Sequence, residues 1–299
     1  MNKTKPAHSD VKPRGRVRFG RPRLLIVGCG DIGQRIVARL AARFRIVALT
    51  SQPARVPLLR AAGTVPIVGD LDRRRSLARL AAFRSRVIHL APPPERSSRR
   101  DPRTRALLAA LRRRPERLVY VSTTGVYGDR NGARVDETTP AAPSSERAWR
   151  RLDAERAVRA ALGCVLRAPG IYANDRLPLE RLRAGLPALT PEDDVYTNHI
   201  HADDLARLCI AALARGGRRR VYNAVDRSQL KMGEYFDLVA DRFDLPRPPR
   251  LPRERLRAAV SPMMYSFMSE SRRVTSARIG SELRLRLAWP TVADTLASA

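Results

Sequence analysis

The stretch that decides the fold is residues 24–33, which read Leu24-Leu25-Ile26-Val27-Gly28-Cys29-Gly30-Asp31-Ile32-Gly33. The four leading apolar residues predict a short buried strand. Apolar residues then recur at a spacing of about 3.6 over residues 31–43, which predicts a helix directly after the glycines. The sequence therefore predicts a strand, a glycine loop and a helix in that order.

Each glycine of this loop has a physical purpose if the loop binds a dinucleotide. Gly28 permits the tight turn, Gly30 leaves room for a pyrophosphate, and Gly33 lets the helix pack closely. The free N–H groups at the start of the helix favour phosphate. We therefore expect the loop, Asp31 and Ile32 included, to bind a dinucleotide; the alternative is a tight turn without a ligand.

Strand and helix signals continue to alternate along the chain. Strands are expected at 45–49, 65–68, 86–90, 118–122, 164–167 and 221–223, and helices at 103–113, 145–161 and 203–214. Repeated units of this length predict an α/β fold, a parallel doubly wound sheet with right-handed crossovers.

The domain organisation follows from where this pattern holds and where it loosens. Residues 1–22 are basic, lack apolar periodicity and are expected to be a disordered tail. A nucleotide-binding domain is predicted over 23–171, with return segments at about 197–225. A smaller, less regular domain that binds substrate is predicted from 172–196 and 226–299.

The end of the second predicted strand indicates which dinucleotide binds. It reads Leu49-Thr50-Ser51-Gln52, without the acidic residue that would bind a ribose 2′-hydroxyl, and Arg55 follows. Hydroxyls and a guanidinium suit a 2′-phosphate, so Thr50, Ser51 and Arg55 favour NADP over NAD. Alternatively, Arg55 is one more solvated arginine.

Composition limits the class of protein. The chain has 299 residues and a net charge of +29, yet only four of its basic residues are lysines and aromatic residues make up 5%. Arginines spread along the whole chain, without interleaved aromatics, favour a general arginine bias over a specific nucleic-acid surface. No apolar run approaches the roughly 18 residues of a membrane span. Three distant cysteines form no metal-ligand pair, so we expect a cytoplasmic protein without a metal site.

Further segments resemble one family, the extended and atypical short-chain dehydrogenase/reductases of the NAD-dependent epimerase/dehydratase group. The resemblance covers about residues 23–299. The matching segments are Gly69-Asp70-Leu71, Val121-Ser122-Thr123-Thr124-Gly125-Val126-Tyr127-Gly128, Leu166-Arg167-Ala168-Pro169-Gly170-Ile171-Tyr172, Ile200-His201-Ala202-Asp203-Asp204, Val221-Tyr222-Asn223 and Trp289-Pro290-Thr291. This resemblance implies a Rossmann fold, a small polar substrate and a homodimer.

The resemblance also implies further contacts with the cofactor. Asp70 and Leu71 match an adenine-contacting turn, Ser122 lies in the fifth-strand motif, and Pro169 with Gly170 match the segment that passes the nicotinamide. We also expect the end of the fourth strand to line the cofactor site, through the residues Leu90, Ala91 and Pro92.

The family's catalytic pair, Tyr-x-x-x-Lys, is missing. By the resemblance, Thr123 occupies the catalytic Ser/Thr position, while Arg147 and Arg151 stand at the tyrosine and lysine positions. Arginine keeps its proton at any working pH and is a poor general acid or base. Arg151 could still bind the cofactor ribose and Arg147 an anionic substrate group. Alternatively, both are surface arginines paired with Glu155 or Asp153, and Thr123 is a strand-end residue that bonds to backbone.

Two main functions remain. The first is an NADP-dependent oxidoreductase or epimerase-like enzyme, which transfers hydride to or from a small carbonyl or sugar-like substrate through a non-standard active site. The second is a dinucleotide-binding sensor or regulatory protein with weak catalysis or none, which the missing Tyr and Lys favour. A third, nucleic-acid association, is supported by charge alone.

Overall fold

The computed structural model describes residues 20–83, 85–95 and 98–298 of the chain. The predicted disordered tail therefore lies almost wholly outside the described residues. The strands are β1 (Arg23–Val27), β2 (Arg45–Thr50), β3 (Val65–Val68), β4 (Arg86–His89), β5 (Arg117–Thr123), β6 (Arg134–Val135), β7 (Cys164–Ala168), β8 (Gly170–Tyr172), β9 (Ala188–Leu189), β10 (His199–His201), β11 (Val221–Asn223), β12 (Arg250–Leu251) and β13 (Arg273–Val274).

The helices are α1 (Asp31–Leu40), α2 (Val56–Ala61), α3 (Pro102–Ala110), α4 (Glu146–Ala160), α5 (Leu179–Arg183), α6 (Ala202–Arg215), α7 (Met232–Arg242), α8 (Arg253–Ala259), α9 (Pro262–Phe267), α10 (Arg278–Ser281) and α11 (Val292–Ala297). Short 3-10 helices also occur at Pro53–Arg55, Arg74–Ala82, Thr124–Tyr127 and Asn174–Arg176.

Seven of the strands form one sheet in the order β11-β7-β5-β4-β1-β2-β3, and every neighbouring pair is parallel. The predicted parallel, doubly wound sheet is confirmed. The remaining strands form three two-stranded parallel sheets, β10-β8, β12-β9 and β13-β6.

Alternate residues of β1 supply the cores on the two faces of the sheet. Leu24 and Ile26 belong to a cluster that includes side chains of α1 and α6. Leu25 and Val27 belong to a second cluster, together with side chains of α3 and α4. A strand whose successive side chains are all buried has helices on both faces, which is why its sequence is continuously apolar.

Two predicted helices end earlier than their apolar spacing suggested. Helix α1 ends at Leu40, because Arg43 and Phe44 both donate to the Leu40 carbonyl in a turn. Helix α3 begins after Asp101, whose carboxylate caps it, and ends before Arg112, which has a φ of 50°. A positive φ is unfavourable for a residue with a side chain and marks the end of the helix.

A third hydrophobic cluster, here called the C-terminal core, comprises residues from the segments outside the sheet. Its members include Tyr172, Leu182, Leu189, Tyr235, Phe236, Leu256 and Leu296. The end of the chain closes this core: Thr295 is fully buried with its hydroxyl 3.4 Å from that of Tyr172, and the Leu296 carbonyl accepts a bond from Arg242. A separate core supports the predicted smaller domain, although the division itself stays a prediction.

Within residues 20–83, 85–95 and 98–298, neither a membrane-spanning helix nor a cluster of metal ligands is found. None of the helices there is long and apolar enough to cross a bilayer. Nor do three or more His, Cys, Asp or Glu side chains converge there in a way that could hold a metal ion.

Candidate functional site

The glycine loop lies where β1 passes into α1, at the carboxyl edge of the sheet. Gly28 has a φ of 82°, and a Cβ there would lie 2.7 Å from the backbone nitrogen of Ala91. A Cβ on Gly33 would lie 3.1 Å from the sulfur of Cys29, so this glycine makes room for the loop itself. Gly30 differs, because a Cβ there would meet no atom within 4 Å. Gly30 therefore faces open space at the start of α1, as a phosphate-binding loop requires.

Cys29 fills the space behind the loop. Its side chain is buried, and burial raises the pKa of its thiol to about 11, an effect that the nearby Arg55 partly offsets. A thiol with a raised pKa is a poor nucleophile, so Cys29 acts as a packing residue.

A first cavity of about 360 Å³ opens between the ends of β1, β2, β3 and β4. It contains ten of the residues predicted to bind the cofactor, namely Gly28, Gly30, Thr50, Ser51, Arg55, Asp70, Leu71, Leu90, Ala91 and Pro92. The Arg55 guanidinium donates to the Cys29 carbonyl at 3.0 Å, which holds it over the loop. Arg103, which the sequence did not single out, also lines this cavity and pairs with Asp72 at 2.6 Å.

A second cavity of about 310 Å³ continues from the glycine loop past the ends of β5 and β7. The predicted residues that line it are Gly28, Gly30, Asp31, Ile32, Gly33, Leu90, Ser122, Thr123, Arg151 and Pro169. Because the two cavities share Gly28, Gly30 and Leu90, they form one groove that crosses the carboxyl edge of the sheet. A groove of this form, with the glycines at its centre, matches a dinucleotide with its pyrophosphate in the middle.

Two observations test whether the residues fit such a cofactor. The first is the open space at Gly30. The second is Ser122, whose buried hydroxyl has no hydrogen-bond partner among the described residues and which lines the second cavity. A buried polar atom without a partner is costly, and a ligand in this cavity could supply the bond. The residues therefore fit a dinucleotide.

A third cavity, of about 720 Å³, adjoins the second and reaches to the C-terminal core. It is lined by Thr123, Arg147, Pro169 and Gly170 among the predicted residues. Thr123, Pro169, Ile171 and Arg176 line both the second and the third cavity. The end of the cofactor groove thus opens into a space large enough for a small ligand.

Thr123 lies at this junction. Its hydroxyl oxygen accepts a bond from the Gly125 backbone nitrogen at 3.1 Å and so caps the short helix Thr124–Tyr127. Thr123 is thus a strand-end threonine bonded to backbone, as the alternative proposed, but its hydroxyl only accepts in that bond. None of the described residues accepts the hydroxyl proton, which is therefore available for a ligand, and the two interpretations are compatible.

Arg151 lies inside the groove and Arg147 in the third cavity, one helical turn apart on α4. Arg151 donates to the Tyr120 hydroxyl at 3.1 Å and to the Val121 carbonyl at 3.0 Å. Arg147 stacks on the Phe267 ring with its central carbon 4.4 Å from the ring centroid. Burial of the guanidinium, followed by the charge of Arg151, lowers the pKa of Arg147.

The alternative prediction, that these two arginines pair with Glu155 or Asp153, is wrong. Glu155 is buried and pairs with Arg167 of β7 at 2.7 Å. Asp153 pairs with Arg105 of α3 at 2.6 Å. Both carboxylates are therefore occupied by arginines from elements packed against α4, and Arg147 and Arg151 stay directed at the cavities.

Among the described residues, three histidines are present and each is buried. His89 bonds Thr104 through Nε2 at 2.9 Å, and burial lowers its pKa to about 3. His201 accepts from the Asp203 nitrogen and stacks on Trp289, which fits a structural turn.

His199 was not assigned a role from the sequence, yet it lines the third cavity. Its register partner is Gly170, and its Nδ1 has no hydrogen-bond partner among the described residues. Burial lowers its pKa to about 4, so the imidazole is neutral at pH 7. No motif identified it, because its place at the cavity depends on the pairing of β10 with β8.

Comparison with known proteins agrees with this geometry. A family model described as NAD(P)H-binding matches residues 28–215. A curated relative, the dTDP-glucose 4,6-dehydratase of Mycolicibacterium smegmatis, is 34% identical over 159 residues, which cover 46% of this chain and 48% of that protein. The chain thus spans about half the length of the curated relative it matches.

Solved structures resemble nearly the whole chain. A functionally unknown conserved protein from Silicibacter pomeroyi is 30% identical, with a TM-score of 0.78 over 93% of this chain and 97% of the other. The dTDP-glucose 4,6-dehydratase DesIV from Streptomyces venezuelae, solved with NAD and TYD bound, is 21% identical, with a TM-score of 0.73 over 92% and 95%. The second likeness concerns the fold alone.

Proposed function

The chain belongs to the NAD(P)H-binding family, and from that membership we propose that it is an NADP-dependent oxidoreductase or epimerase-like enzyme. Its substrate is a small polar molecule with a carbonyl or sugar-like group. Its active site is non-standard, because the Tyr-x-x-x-Lys pair that the resemblance would supply is absent from the sequence.

The observation that carries this proposal is the junction of the second and third cavities. A protein that only stores a dinucleotide needs no second space beside the reactive end of its groove. Here the 720 Å³ cavity adjoins that end, and Thr123, Pro169, Ile171 and Arg176 line both spaces. A substrate in the third cavity would therefore lie against the nicotinamide end of a cofactor in the second.

The bound cofactor supplies hydride chemistry, and this chain's residues bind and orient the reactants. The Thr123 hydroxyl proton has no acceptor within residues 20–83, 85–95 and 98–298, so this hydroxyl can donate a hydrogen bond to a substrate oxygen and polarise it. Arg151, with Nη1 fixed by Tyr120 and Val121, can donate from its other nitrogens to the cofactor ribose. Arg147 can hold an anionic group of the substrate. Thr123 together with a water would supply the polar assistance to the substrate oxygen that the missing tyrosine would otherwise give.

NADP is favoured over NAD by the residues at the end of β2. Thr50, Ser51 and Arg55 line the first cavity together, and the end of β2 carries no carboxylate. A 2′-phosphate there would meet hydroxyls and a guanidinium, which is favourable for two opposite charges. A ribose without the phosphate would lack its usual acidic partner.

Turnover tests the proposal. Purified protein is given NADPH and a panel of aldehydes, ketones and keto-sugars, and the loss of NADPH absorbance is followed. We expect oxidation with at least one compound, and Thr123→Val should lower kcat by about 100-fold. Thr123→Ser keeps the hydroxyl and should restore most of the rate.

The second function, a redox sensor or regulatory protein, is favoured by the missing Tyr and Lys. It makes a different prediction from the same experiment. NADPH would bind with a normal affinity, yet no compound of the panel would cause its oxidation. That result would contradict an oxidoreductase and leave cofactor binding intact. An epimerase returns the hydride that it takes, so the enzyme proposal as a whole is contradicted if product analysis of the same panel with NADP⁺ also shows no conversion.

A further inference from the structure

Arg176 occupies a place that neither the glycine motif nor the active-site resemblance accounts for. It ends the short helix Asn174–Arg176, which follows β8. Its side chain lines both the second and the third cavity, beside the loop from Gly28 to Gly33. Its Nη1 donates to Asp31 Oδ2 at 2.8 Å. A segment outside the sheet therefore sends a cation to the start of α1.

Asp31 places a negative charge next to the expected phosphate site. It is the first residue of α1, at the helix end whose N–H groups are expected to bind phosphate. A carboxylate there is favourable for the empty helix but repels an approaching diphosphate. An acidic residue at this position is tolerable only if cations neutralise it.

Two arginines do so, one on each carboxylate oxygen. Arg35 Nε donates to Asp31 Oδ1 at 2.9 Å, while Arg176 takes Oδ2. Arg35 also bonds Asp175 and Asp203, and Arg39 bonds Asp203 from the next turn. Three arginines thus balance three aspartates, and the network holds Arg176 in place without surplus negative charge.

The Arg176 guanidinium has N–H groups that are not used in its bond to Asp31. A guanidinium has five N–H groups in a planar fork. Among the described residues, only Asp31 accepts a bond from the Arg176 side chain, through Nη1, so Nη2 and Nε have no partner there. By contrast, the other arginine of the second cavity, Arg151, is fixed on Tyr120 and Val121 of β5. Of these two cations, Arg176 is therefore the one that is bonded to the loop, through Asp31.

We propose that Arg176 is a cofactor-binding residue, which Asp31 holds beside the pyrophosphate of the bound dinucleotide. Nη1 stays on Asp31, and the remaining N–H groups donate to phosphate oxygens. Asp31 thus acts as a positioning residue. The inference rests on cofactor binding and is independent of turnover, so it survives if the protein proves to be a sensor.

The test compares two ligands in two variants. NADPH contains the pyrophosphate, whereas adenosine 2′-monophosphate has the 2′-phosphate and the adenosine without either phosphate of the pyrophosphate. Arg176→Gln should raise the Kd for NADPH by about tenfold, and change the Kd for adenosine 2′-monophosphate less than about twofold. Arg183→Gln is the matched control, because Arg183 is an exposed arginine of α5 that lines none of the three cavities.

Three results would overturn the proposal: an unchanged Kd for NADPH in Arg176→Gln, an equal loss for both ligands, or an equal loss in Arg183→Gln. A lower melting temperature of the ligand-free Arg176→Gln protein would not explain a selective loss of NADPH binding, since adenosine 2′-monophosphate serves as the internal control for folding.

Asp31→Asn tests whether Asp31 strengthens or weakens the binding of NADPH. If Asp31 only repels the cofactor, this substitution strengthens NADPH binding. If Asp31 holds Arg176 in place, it weakens binding in the native background and does not weaken it further in Arg176→Gln. Stronger binding in the native background would refute the positioning role of Asp31.

Discussion

Gly30→Asp separates cofactor binding from folding at the glycine loop. Gly30 caps α1 in an extended conformation, with φ −79° and ψ −151°, and a Cβ there would meet nothing within 4 Å. Aspartate is a favourable helix N-cap, so the ligand-free protein should keep its melting temperature. The new carboxylate would stand in the space assigned to the pyrophosphate.

The size of the effect follows from Coulomb's law. Two unit charges about 4–5 Å apart, at an effective dielectric constant of about 20, repel by roughly 3–4 kcal/mol. Because about 1.4 kcal/mol is tenfold in Kd, NADPH binding should weaken by about two to three orders of magnitude. Gly30→Ser adds a small neutral side chain and should cost much less.

The assay is a fluorescence titration of NADPH together with thermal unfolding of each ligand-free protein. Gly280→Asp is the matched control, because a Cβ at Gly280 also meets nothing within 4 Å and Gly280 lines none of the three cavities. Gly28→Ala provides the opposite case, since its φ of 82° and the contact with Ala91 should lower the melting temperature by several degrees, at about 1–3 kcal/mol of strain. If Gly30→Asp binds NADPH as well as the native protein does, the diphosphate does not cross this loop.

Three further predictions concern the groove, the buried ion pair and a buried carboxyl. Arg55→Gln should raise the Kd for NADPH by about tenfold and leave that for NADH unchanged; equal losses in a titration with both cofactors would remove the argument for NADP. Glu155→Gln leaves the Arg167 guanidinium buried without its anion, so urea denaturation should show a loss of about 3–5 kcal/mol in unfolding free energy, whereas Asp241→Asn, at the exposed pair with Arg247, should leave the urea midpoint unchanged. Burial raises the pKa of Asp226 to about 7 from an ordinary value of 3.8, so its contribution to stability is present at low pH and is lost as pH rises through about 7. Asp226→Asn should therefore gain stability over the native protein progressively between about pH 4 and pH 7, by up to about 4 kcal/mol, and a constant difference at pH 5 and pH 8 in urea denaturation would contradict this.

The residues that line the groove could be predicted from the sequence, because most of them lie at strand ends that local apolar runs identify. Strand ends are readable from apolar runs, and the carboxyl ends of parallel strands meet at one edge of the sheet. Thr50, Asp70 and Ser122 are far apart in the chain, yet each follows or ends a strand. Once the parallel sheet was predicted, their placement beside the glycine loop followed.

Contacts between distant elements could not be predicted in this way. The sequence suggested Glu155 as a partner for Arg151 because residues four apart share a helix face. The actual partner of Glu155 is Arg167, which reaches it from β7. A buried strand arginine competes more strongly for a buried carboxylate than a neighbour on the helix that has backbone and phenol acceptors nearby.

Arg176 and His199 show the same limit at the site itself. Asp31 and Arg176 are 145 positions apart, and no periodicity connects them. His199 reaches the third cavity because β10 pairs with β8, two three-residue strands. Strands this short carry too little apolar pattern to be predicted, so the residues they position stay hidden in the sequence.

The closure of the C-terminal core by Thr295 and Leu296 has a consequence for biosynthesis. Tyr172 is translated more than a hundred residues before the Thr295 hydroxyl that it meets. The strands β1 to β7 can pair while the chain is still being made, but the C-terminal core stays open until residue 296 has left the ribosome. During that interval the apolar side chains around Tyr172 are open to chaperones and proteases. The lining of the groove, which extends to Leu205, can likewise be complete before that of the third cavity, which extends to Arg272.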